Sequence, residues 1–170
     1  MALSDASYDP ESFPGLIYRR KNPRSTIILF ANGKFVSTGT KSEWESRKAL
    51  QFSLKEICLA EGKSACMGPV KTVNLVATSD WGHPLDLPFI SSHIPEAIYE
   101  PKLFPGMILH NADRSALLLF GSGKVVCSGA RKAATARGHI ESIHRRLSTL
   151  GLIHEPPSSR SRRSQVRHRF

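Results

Sequence analysis

The stretch LFPGMI, from Leu103 to Ile108, repeats the stretch SFPGLI, from Ser12 to Ile17. Phe13 and Phe104 are 91 residues apart, and the similarity continues far beyond the motif. After a one-residue deletion before Arg114 the offset becomes 90, and the segment GK-x-V recurs at positions 33–36 and 123–126. Two long copies predict a fused pseudo-dimer with an approximate two-fold axis, since solenoids need three or more short repeats.

Each copy is predicted to be a run of strands followed by a helix. Residues 14–21, 25–31 and 34–38 are rich in β-branched and apolar residues, and Asn32-Gly33 predicts a tight hairpin turn, because both residues tolerate positive φ. Ser42 and Glu45 then form the pattern of a capping box. We expect a helix that buries one apolar stripe and ends at Gly62; the stripe comprises Leu50, Leu54, Ile57 and Cys58.

The second copy predicts the same plan with one more strand. Its helix should bury Ile140, Ile143, Leu147 and Leu150 and end at Gly151. The additional strand is expected at Val70–Ser79, before a loop and a short helix, and the first copy has no counterpart for it. We therefore expect a first repeat at 1–68, a second repeat at 69–153 and a basic, disordered tail at 154–170.

The charge of the chain points to a polyanionic partner. Twenty-four Lys and Arg oppose 14 Asp and Glu, which gives a net charge of +10, and this favours nucleic acid over an anionic membrane. No apolar run is long enough for a membrane span, and the first residues do not resemble a secretory peptide. The three cysteines fit neither a disulfide framework nor a zinc site, so we expect buried free thiols.

The central strands are apolar on both faces. In the first copy Ile27 and Leu29 oppose Ile28 and Phe30, and STIILFA and SALLLFG share this pattern. One face of an antiparallel sheet is normally polar when it meets water. The second apolar face therefore predicts a fully buried strand, a homodimer contact, or a surface that binds a nucleic-acid minor groove through aliphatic groups, apolar wedges and a cationic rim.

Catalytic patterns are weak. Ser79, Asp80 and His83 lie in one short segment, which is more typical of a turn than of a triad. His139 and His144 are five residues apart on a helix, the wrong spacing for a shared metal. We expect no enzyme activity, no metal, no cofactor and no small-molecule substrate, and we expect Trp44 to be a packing residue.

The sequence closely resembles the TATA-box-binding protein family over about residues 8–153. The resemblance rests on YxPxxFPG-I, LF-x-x-GK-x-V-x-x-G, the capped helix and the internal duplication. It implies an α+β saddle in which a curved antiparallel sheet of two pseudo-symmetric repeats carries helices on its convex face. The other face would grip the minor groove of A·T-rich promoter DNA.

The resemblance also implies the roles of individual residues. The wedges between base steps would be Phe13, Phe30, Phe104 and Phe120. Groove contacts would come from the aliphatic residues Ile28, Val36, Val76, Leu118 and Val126 and from the hydroxyls of Thr38 and Ser128. Asn74 would hydrogen-bond to base edges near the pseudo-dyad, and phosphates would be contacted by Arg19, Arg24, Lys34, Arg114 and Lys124.

The expected partners are double-stranded promoter DNA, TFIIB-type and other general transcription factors, and the RNA polymerase machinery, in the nucleus. The TFIIB-type factor would dock at a loop that contains Glu100, Lys102 and Leu103. Two departures from the family pattern weaken these expectations: Lys102 replaces an expected acid, and His110 replaces the arginine seen at Arg19. The alternative is a regulatory protein-interaction module that has weakened or lost DNA bending.

Overall fold

The computed structural model describes residues 5–62, 64 and 66–153. The chain divides into two compact units, the first ending at Lys71 and the second beginning at Thr72. In each unit a four-stranded antiparallel sheet is packed on one face by a long helix. The predicted basic tail at 154–170 lies outside the described residues.

The first unit follows the predicted order of strands and helix. Its strands are β1 (Ala6–Ser7), β2 (Gly15–Lys21), β3 (Arg24–Phe30) and β4 (Phe35–Thr38), and they lie in this order across the sheet. Helix α1 (Glu43–Glu61) follows and contacts β3 and β4.

The second unit contains one more full-length strand and a short helix. Its elements are β5 (Leu75–Asp80), α2 (Leu87–His93), β6 (Gly106–His110), β7 (Ala116–Phe120), β8 (Lys124–Ala130) and α3 (Ala133–Thr149). The order across the sheet is β5-β8-β7-β6, and α3 packs on β8 and β5.

The described strands form one four-stranded antiparallel sheet in each unit. Strand β1 does not replace the missing opening strand of the first copy. It pairs Ser7 with Ile17, which is the same position as the Ile98–Ile108 bridge of the second unit. Among the described residues, therefore, the first unit has no strand equivalent to β5.

The strand predicted at Val70–Ser79 was wrong at its start, because β5 begins only at Leu75. Met67 and Val70 instead pack against the core of the first unit, and the backbone oxygen of Val70 accepts a hydrogen bond from Arg47. The segment before β5 is thus held by α1 contacts that compete with extension of the strand.

The two long helices begin and end largely as predicted. The hydroxyl of Ser42 accepts a hydrogen bond from the backbone N–H of Glu45. The Glu45 carboxylate accepts one from the backbone N–H of Lys41 instead of that of Ser42, so the capping box is only half formed. Gly62 ends α1 with a φ of 63°. Leu150 is exposed because α3 ends at Thr149, which turns Leu150 away from the predicted stripe.

The turn between β3 and β4 differs from the predicted one. Gly33 has positive φ, but Asn32 does not. The N–H of Gly33 donates to the oxygen of Phe30, and the N–H of Phe30 donates to the oxygen of Lys34. These bonds define a longer hairpin loop with one left-handed glycine, and Gly123 repeats it in the second unit.

The helix-covered faces form the cores of the two units. In the first unit Ile27, Ala49 and Leu50 are buried and contact Tyr18 and Phe35. The second unit buries a larger apolar set, which includes Met107, Leu117, Leu119, Val125, Ile140, Ile143 and Leu147. Each fully buried Leu or Ile side chain contributes about 1.5–3 kcal/mol through the hydrophobic effect.

Two further predictions concern the burial of the cysteines and the membrane spans. All three thiols are free, but only Cys127 is buried; Cys58 is half-buried and Cys66 is exposed. Burial raises the pKa of the Cys127 thiol. In the part of the chain that the structure describes, no helix combines the length and apolarity that a membrane span requires.

Candidate nucleic-acid interface

The sheet face opposite the long helix carries matching rows of side chains in the two units. The register aligns Ile17, Ile28 and Val36 across β2, β3 and β4. In the second unit it aligns Ile108, Leu118, Val126 and Thr78 across β6, β7, β8 and β5. All seven side chains are half-buried. The helices cover the other face, where Ile27 and Leu117 are buried, so in each unit the row forms an apolar surface that a ligand can reach.

In each unit a pair of phenylalanine rings lies at the end of this open face. The ring centroids of Phe13 and Phe30 are 6.0 Å apart, and those of Phe104 and Phe120 are 5.8 Å apart. All four side chains are half-buried. An apolar ring that stays partly in water in the free protein is suited to bury itself in a ligand. The structure thus brings together the four predicted wedges as two equivalent pairs.

The glycine of each Phe-Pro-Gly motif makes room for these rings. Gly15 pairs with Phe30 and Gly106 pairs with Phe120 across the sheet. A Cβ atom at Gly15 would lie 2.8 Å from the Phe13 ring, and one at Gly106 would lie 2.7 Å from the Phe104 ring. The motif is therefore explained by packing, because only a residue without a side chain lets the ring lie over the strand. Our sequence analysis did not assign these two glycines.

In each unit, a second row on the same open face is more polar. It aligns Arg19, Thr26 and Thr38 in the first unit. In the second unit it aligns His110, Ala116, Ser128 and Val76. Thr38 and Ser128 occupy equivalent positions, as do Arg19 and His110. The resemblance implied roles for Arg19, Thr38, Ser128 and Val76, and strand register alone now adds Thr26 and Ala116.

The five predicted phosphate contacts are exposed cations near the ends of the strands. Arg19 lies on the open face, Arg24 is the first residue of β3, and Arg114 lies in the turn before β7. Lys34 and Lys124 follow the hairpin loops. Arg114 is the one non-glycine residue with positive φ among the described residues, at 67°, and it follows the one-residue deletion. By contrast, Arg20 points to the helix-covered side, where it forms an ion pair with Glu56.

Asn74 lies just before β5 and is exposed. Its side-chain oxygen accepts a hydrogen bond from the backbone N–H of Gly129 at 3.0 Å. This contact spans the irregularity in register at the start of β5, between Leu75 and Val76. An amide whose oxygen is held in this way presents its NH₂ group as a donor, and the minor groove of A·T pairs offers only acceptors. The predicted contact to base edges is chemically consistent with this arrangement.

The loops that lead into the two Phe-Pro-Gly motifs share a backbone turn but differ in side chains. In the first unit the oxygen of Asp9 accepts from the N–H of Phe13, and in the second the oxygen of Glu100 accepts from the N–H of Phe104. Hydrogen bonds from Ser12 lower the pKa of Asp9. At the equivalent of Ser12 stands Leu103, which is 81% exposed.

The residues considered for catalysis do not assemble into a site. Asp80 accepts a hydrogen bond from the N–H of Gly82, which is a turn contact, and the His83 ring lies against the oxygen of Pro84. His139 pairs with Asp113, while the His144 ring packs edge-on against Trp81. Groups of three or more potential metal ligands are absent from the described ranges.

One packing prediction was wrong. Trp44 is 65% exposed on α1, with the Lys48 ammonium 4.3 Å from its ring centroid. This is a surface cation–π contact. The sequence placed Trp44 near a helix start but could not show which side of the helix it occupies.

Comparison with known proteins places these features in one family. Residues 1–58 and 69–150 match the family model described as "Transcription factor TFIID (or TATA-binding protein, TBP)". The chain is 37% identical over 153 residues to the TATA-box-binding protein of Methanothermobacter thermautotrophicus, covering 89% of this chain and 84% of that one. It is 39% identical over 158 residues to that of Archaeoglobus fulgidus, with the same coverages.

A solved structure shows the same fold. The TBP of Methanococcus jannaschii superposes with a TM-score of 0.79 at 34% identity, covering 88% of this chain and 86% of that one. This match confirms the predicted fold class and the predicted family resemblance. The comparisons do not test the individual site residues, which therefore stay predictions supported by their placement on the open faces.

Proposed function

We propose that this chain, which belongs to the TATA-binding protein family of transcription factors, binds the minor groove of A·T-rich promoter DNA and kinks it by inserting phenylalanine rings. The observation that carries the proposal is the repetition of one Phe pair, one glycine and one aliphatic row on the open face of each unit.

The chemistry of the open face fits a widened minor groove. Aliphatic side chains can pack against the floor of the groove, and apolar rings inserted between base steps replace the lost stacking. TATA-binding proteins are themselves an established example of this insertion. Phenylalanine has no polar ring atom to desolvate, so its insertion costs less than that of Tyr or Trp. Two pairs of rings provide for two separate kinks.

Selectivity should be limited to A·T content and deformability. The minor groove shows almost the same acceptors for A·T and T·A, and the exocyclic amine of guanine adds a donor. The aliphatic rows offer that donor no acceptor, and the Asn74 amide can donate to the acceptors of A·T pairs. Flexible pyrimidine–purine steps lower the cost of the kink.

The exposed cations should fix the protein on the phosphates. Each neutralised phosphate adds about 0.9 to the slope of log affinity against log salt. Lys124→Gln should therefore weaken binding to all sequences alike and reduce the slope by about one contact. Lys48→Gln, which removes an exposed cation from the helix side, is the matched control.

We further propose that the loop at Glu100, Lys102 and Leu103 docks a TFIIB-type general transcription factor, and so nucleates assembly of the initiation complex with RNA polymerase. Its support is the 81% exposure of Leu103 on a hydrogen-bonded turn, since an exposed apolar side chain is a suitable anchor. A nuclear location also stays a proposal; the relatives named above are archaeal.

The decisive experiment measures bending by energy transfer between dyes at the two ends of an A·T-rich duplex. The double variant Phe104→Ala with Phe120→Ala should abolish one kink and reduce the bend angle. Phe52→Ala, which removes an aromatic ring from α1, should leave the angle unchanged. A full bend in the double variant, at saturating protein, would overturn the wedge mechanism.

The alternative, a regulatory interaction module, predicts a different outcome. Such a protein would show no linear loss of log affinity with log salt in a gel shift, because phosphates would not be contacted. The retention of all four rings on the open faces favours the DNA-binding proposal.

A further inference from the structure

One position in the polar row of the open face differs in charge between the two units. The first unit has Arg19 there and the second unit has His110, and both side chains are exposed. Arginine is charged at every physiological pH, whereas histidine gains its charge only as the pH falls below neutrality. Residues 1–71 contain no histidine. The charge of the second open face therefore depends on pH in a way that the charge of the first does not.

Strand register places His110 between the aliphatic row and an exposed cation. It is the last residue of β6, two positions after Ile108 on the same face, and it lies opposite Ala116 of β7. Arg114, one of the predicted phosphate contacts, is exposed in the turn that follows β6. The methyl group of Ala116 is too small to cover an imidazole, so the ring is open to a ligand that binds this face.

The turn after His110 is held by hydrogen bonds. The side-chain amide of Asn111 donates to the hydroxyl of Ser115 at 2.9 Å, and the backbone N–H of Asn111 donates to the oxygen of Ser115 at 2.8 Å. The hydroxyl and the N–H of Ser115 both donate to Asp113. These bonds fix the backbone on both sides of the turn, so a charge gained by the His110 ring appears at a defined place on the open face.

The ionisable groups that neighbouring elements bring near β6 have partners of their own within the second unit. They come from the turn after β6, from the segment before the bridge between Ile98 and Ile108, and from α2, which contacts β6. The pairs are Asp113 with His139, Glu96 with Arg146, and His93 with the backbone oxygen of Phe89.

The imidazole of His110 itself is not engaged in this way. From β5, β7 and β8 the polar row adds only Val76, Ala116 and Ser128, none of which is ionisable. Within the described chain, His110 has no ion pair or side-chain hydrogen bond. A proton on this ring is therefore available to an anion outside the protein.

We propose that His110 is a further contact of the second unit to the DNA backbone, made when its ring is protonated, at the position where the first unit has Arg19. The inference rests on the proposed DNA binding and deepens it. A protonated imidazole donates from both ring nitrogens and adds one positive charge opposite the phosphates, whereas the neutral ring adds none. Acidification from about pH 8.5 to about pH 6 makes the two open faces alike in charge at this position.

The test measures the affinity of the full chain for an A·T-rich duplex over a range of salt concentrations, at about pH 6 and about pH 8.5. For the natural chain, the slope of log affinity against log salt should steepen by about 0.9 at the lower pH, because one more phosphate is neutralised. The gain in affinity on acidification should then be about 3.5 times larger at 50 mM than at 200 mM salt. His110→Gln should lack this increment.

Three further variants place the effect on the polar row. His110→Arg should have the steeper slope at both pH values, because its charge is permanent. Arg19→His should have a shallower slope than the natural chain at the higher pH and a larger change between the two, since both units would then titrate. His93→Gln, which changes an exposed histidine of α2, should behave like the natural chain.

The two pH values separate a charge contact from a structural role. Neutral histidine and glutamine are both uncharged, so His110→Gln should match the natural chain at the higher pH and bind more weakly only at the lower one. Equal weakening at both values, or equal steepening in the natural chain and His110→Gln, would overturn the inference.

The bend angle, measured by energy transfer on the same duplex at the higher pH, distinguishes this inference from the proposed function. A natural chain that binds and bends the duplex there, but whose salt slope does not change with pH, would refute the His110 contact alone. Absence of binding at both pH values would overturn the proposed function together with the contact.

Discussion

The two units keep the same open face but have different cores. The aliphatic rows match at three positions: Ile17 with Ile108, Ile28 with Leu118, and Val36 with Val126. On the helix side, Ser53 of the first unit stands where the second has the buried Ile143. Among the described residues, the first unit buries three hydroxyls without a hydrogen-bond partner, those of Ser37, Thr40 and Ser53, and the second unit buries one, that of Ser148.

This difference shows that the two faces of one repeat must meet different requirements. The open face must match a ligand that itself has a repeating geometry, so its side chains and their register stay alike. The covered face only has to fill a core, and many combinations of similar volume can do so. We infer that the first unit is the less stable one and unfolds first.

The largest expected effect tests the two cores at equivalent helix positions. Leu147→Ala should cost about 3 kcal/mol, because Leu147 is fully buried and the substitution leaves a cavity. Ile57→Ala, at the half-buried equivalent, should cost about 1 kcal/mol. Urea unfolding followed by hydrogen exchange in each unit measures both; equal losses would remove the proposed contrast.

The next prediction tests the likeness of the open faces. Gly15→Ala and Gly106→Ala should each cost about 2 kcal/mol and weaken DNA binding, since the new Cβ displaces a wedge ring. Gly138→Ala is the control. It has no atom near the new Cβ and should stabilise α3 by up to about 1 kcal/mol. If only one of the first two variants affected DNA titrations, the units would not be equivalent.

A smaller effect should come from the unpartnered hydroxyls. Ser53→Ala should raise the stability of the first unit by about 1 kcal/mol, because it removes a buried polar group that has no partner. Ser142→Ala, at an exposed position of α3, should change stability by less than about 0.5 kcal/mol. Thermal unfolding of the two variants gives the comparison, and a loss of stability in Ser53→Ala would show that the hydroxyl has a partner.

The smallest expected effect is a difference in acid sensitivity. Hydrogen bonds from Ser115 and a pairing with His139 hold the pKa of Asp113 well below its ordinary value. A depressed carboxylate pKa stabilises the fold above the unfolded-state pKa, and this contribution is lost as the pH falls below about 5. The residue before Arg24 in the first unit is Pro23, which cannot contribute in this way.

Asp113→Asn should therefore flatten the fall in stability of the second unit between about pH 5 and pH 2. Urea midpoints measured along this range provide the check, with Asp86→Asn as a change at another exposed carboxylate. Parallel pH curves for the natural chain and Asp113→Asn would exclude the proposed coupling.

Much of the fold was predictable because its signals are local. The strand periods and the capping residues Ser42 and Gly62 are patterns of neighbouring residues, and the duplication is visible when the chain is compared with itself; the structure confirms all three. The start of β5 was not predictable, because Val70 is apolar and β-prone but is held by the core of the first unit. Trp44 was placed wrongly for a similar reason: its sequence position does not determine what packs around it.

For the candidate site, the phenylalanines were found through the repeated motif, and Gly15 and Gly106 were missed although they lie within it. Assigning a role to these glycines required the distance from each strand to the rings. Thr26 and Ala116 needed the pairing register, which joins residues from separate strands.

The sequence by itself determined that two equivalent units exist and that neighbouring residues on each strand point to opposite faces, because side-chain alternation is a property of the extended backbone. It could not choose between the faces, since Ile27 and Ile28 are equally apolar. Tertiary structure made that choice: the helix packs on Ile27 and leaves Ile28 half-buried on the open face. This outcome depends on contacts between segments far apart in the chain, which no local pattern encodes.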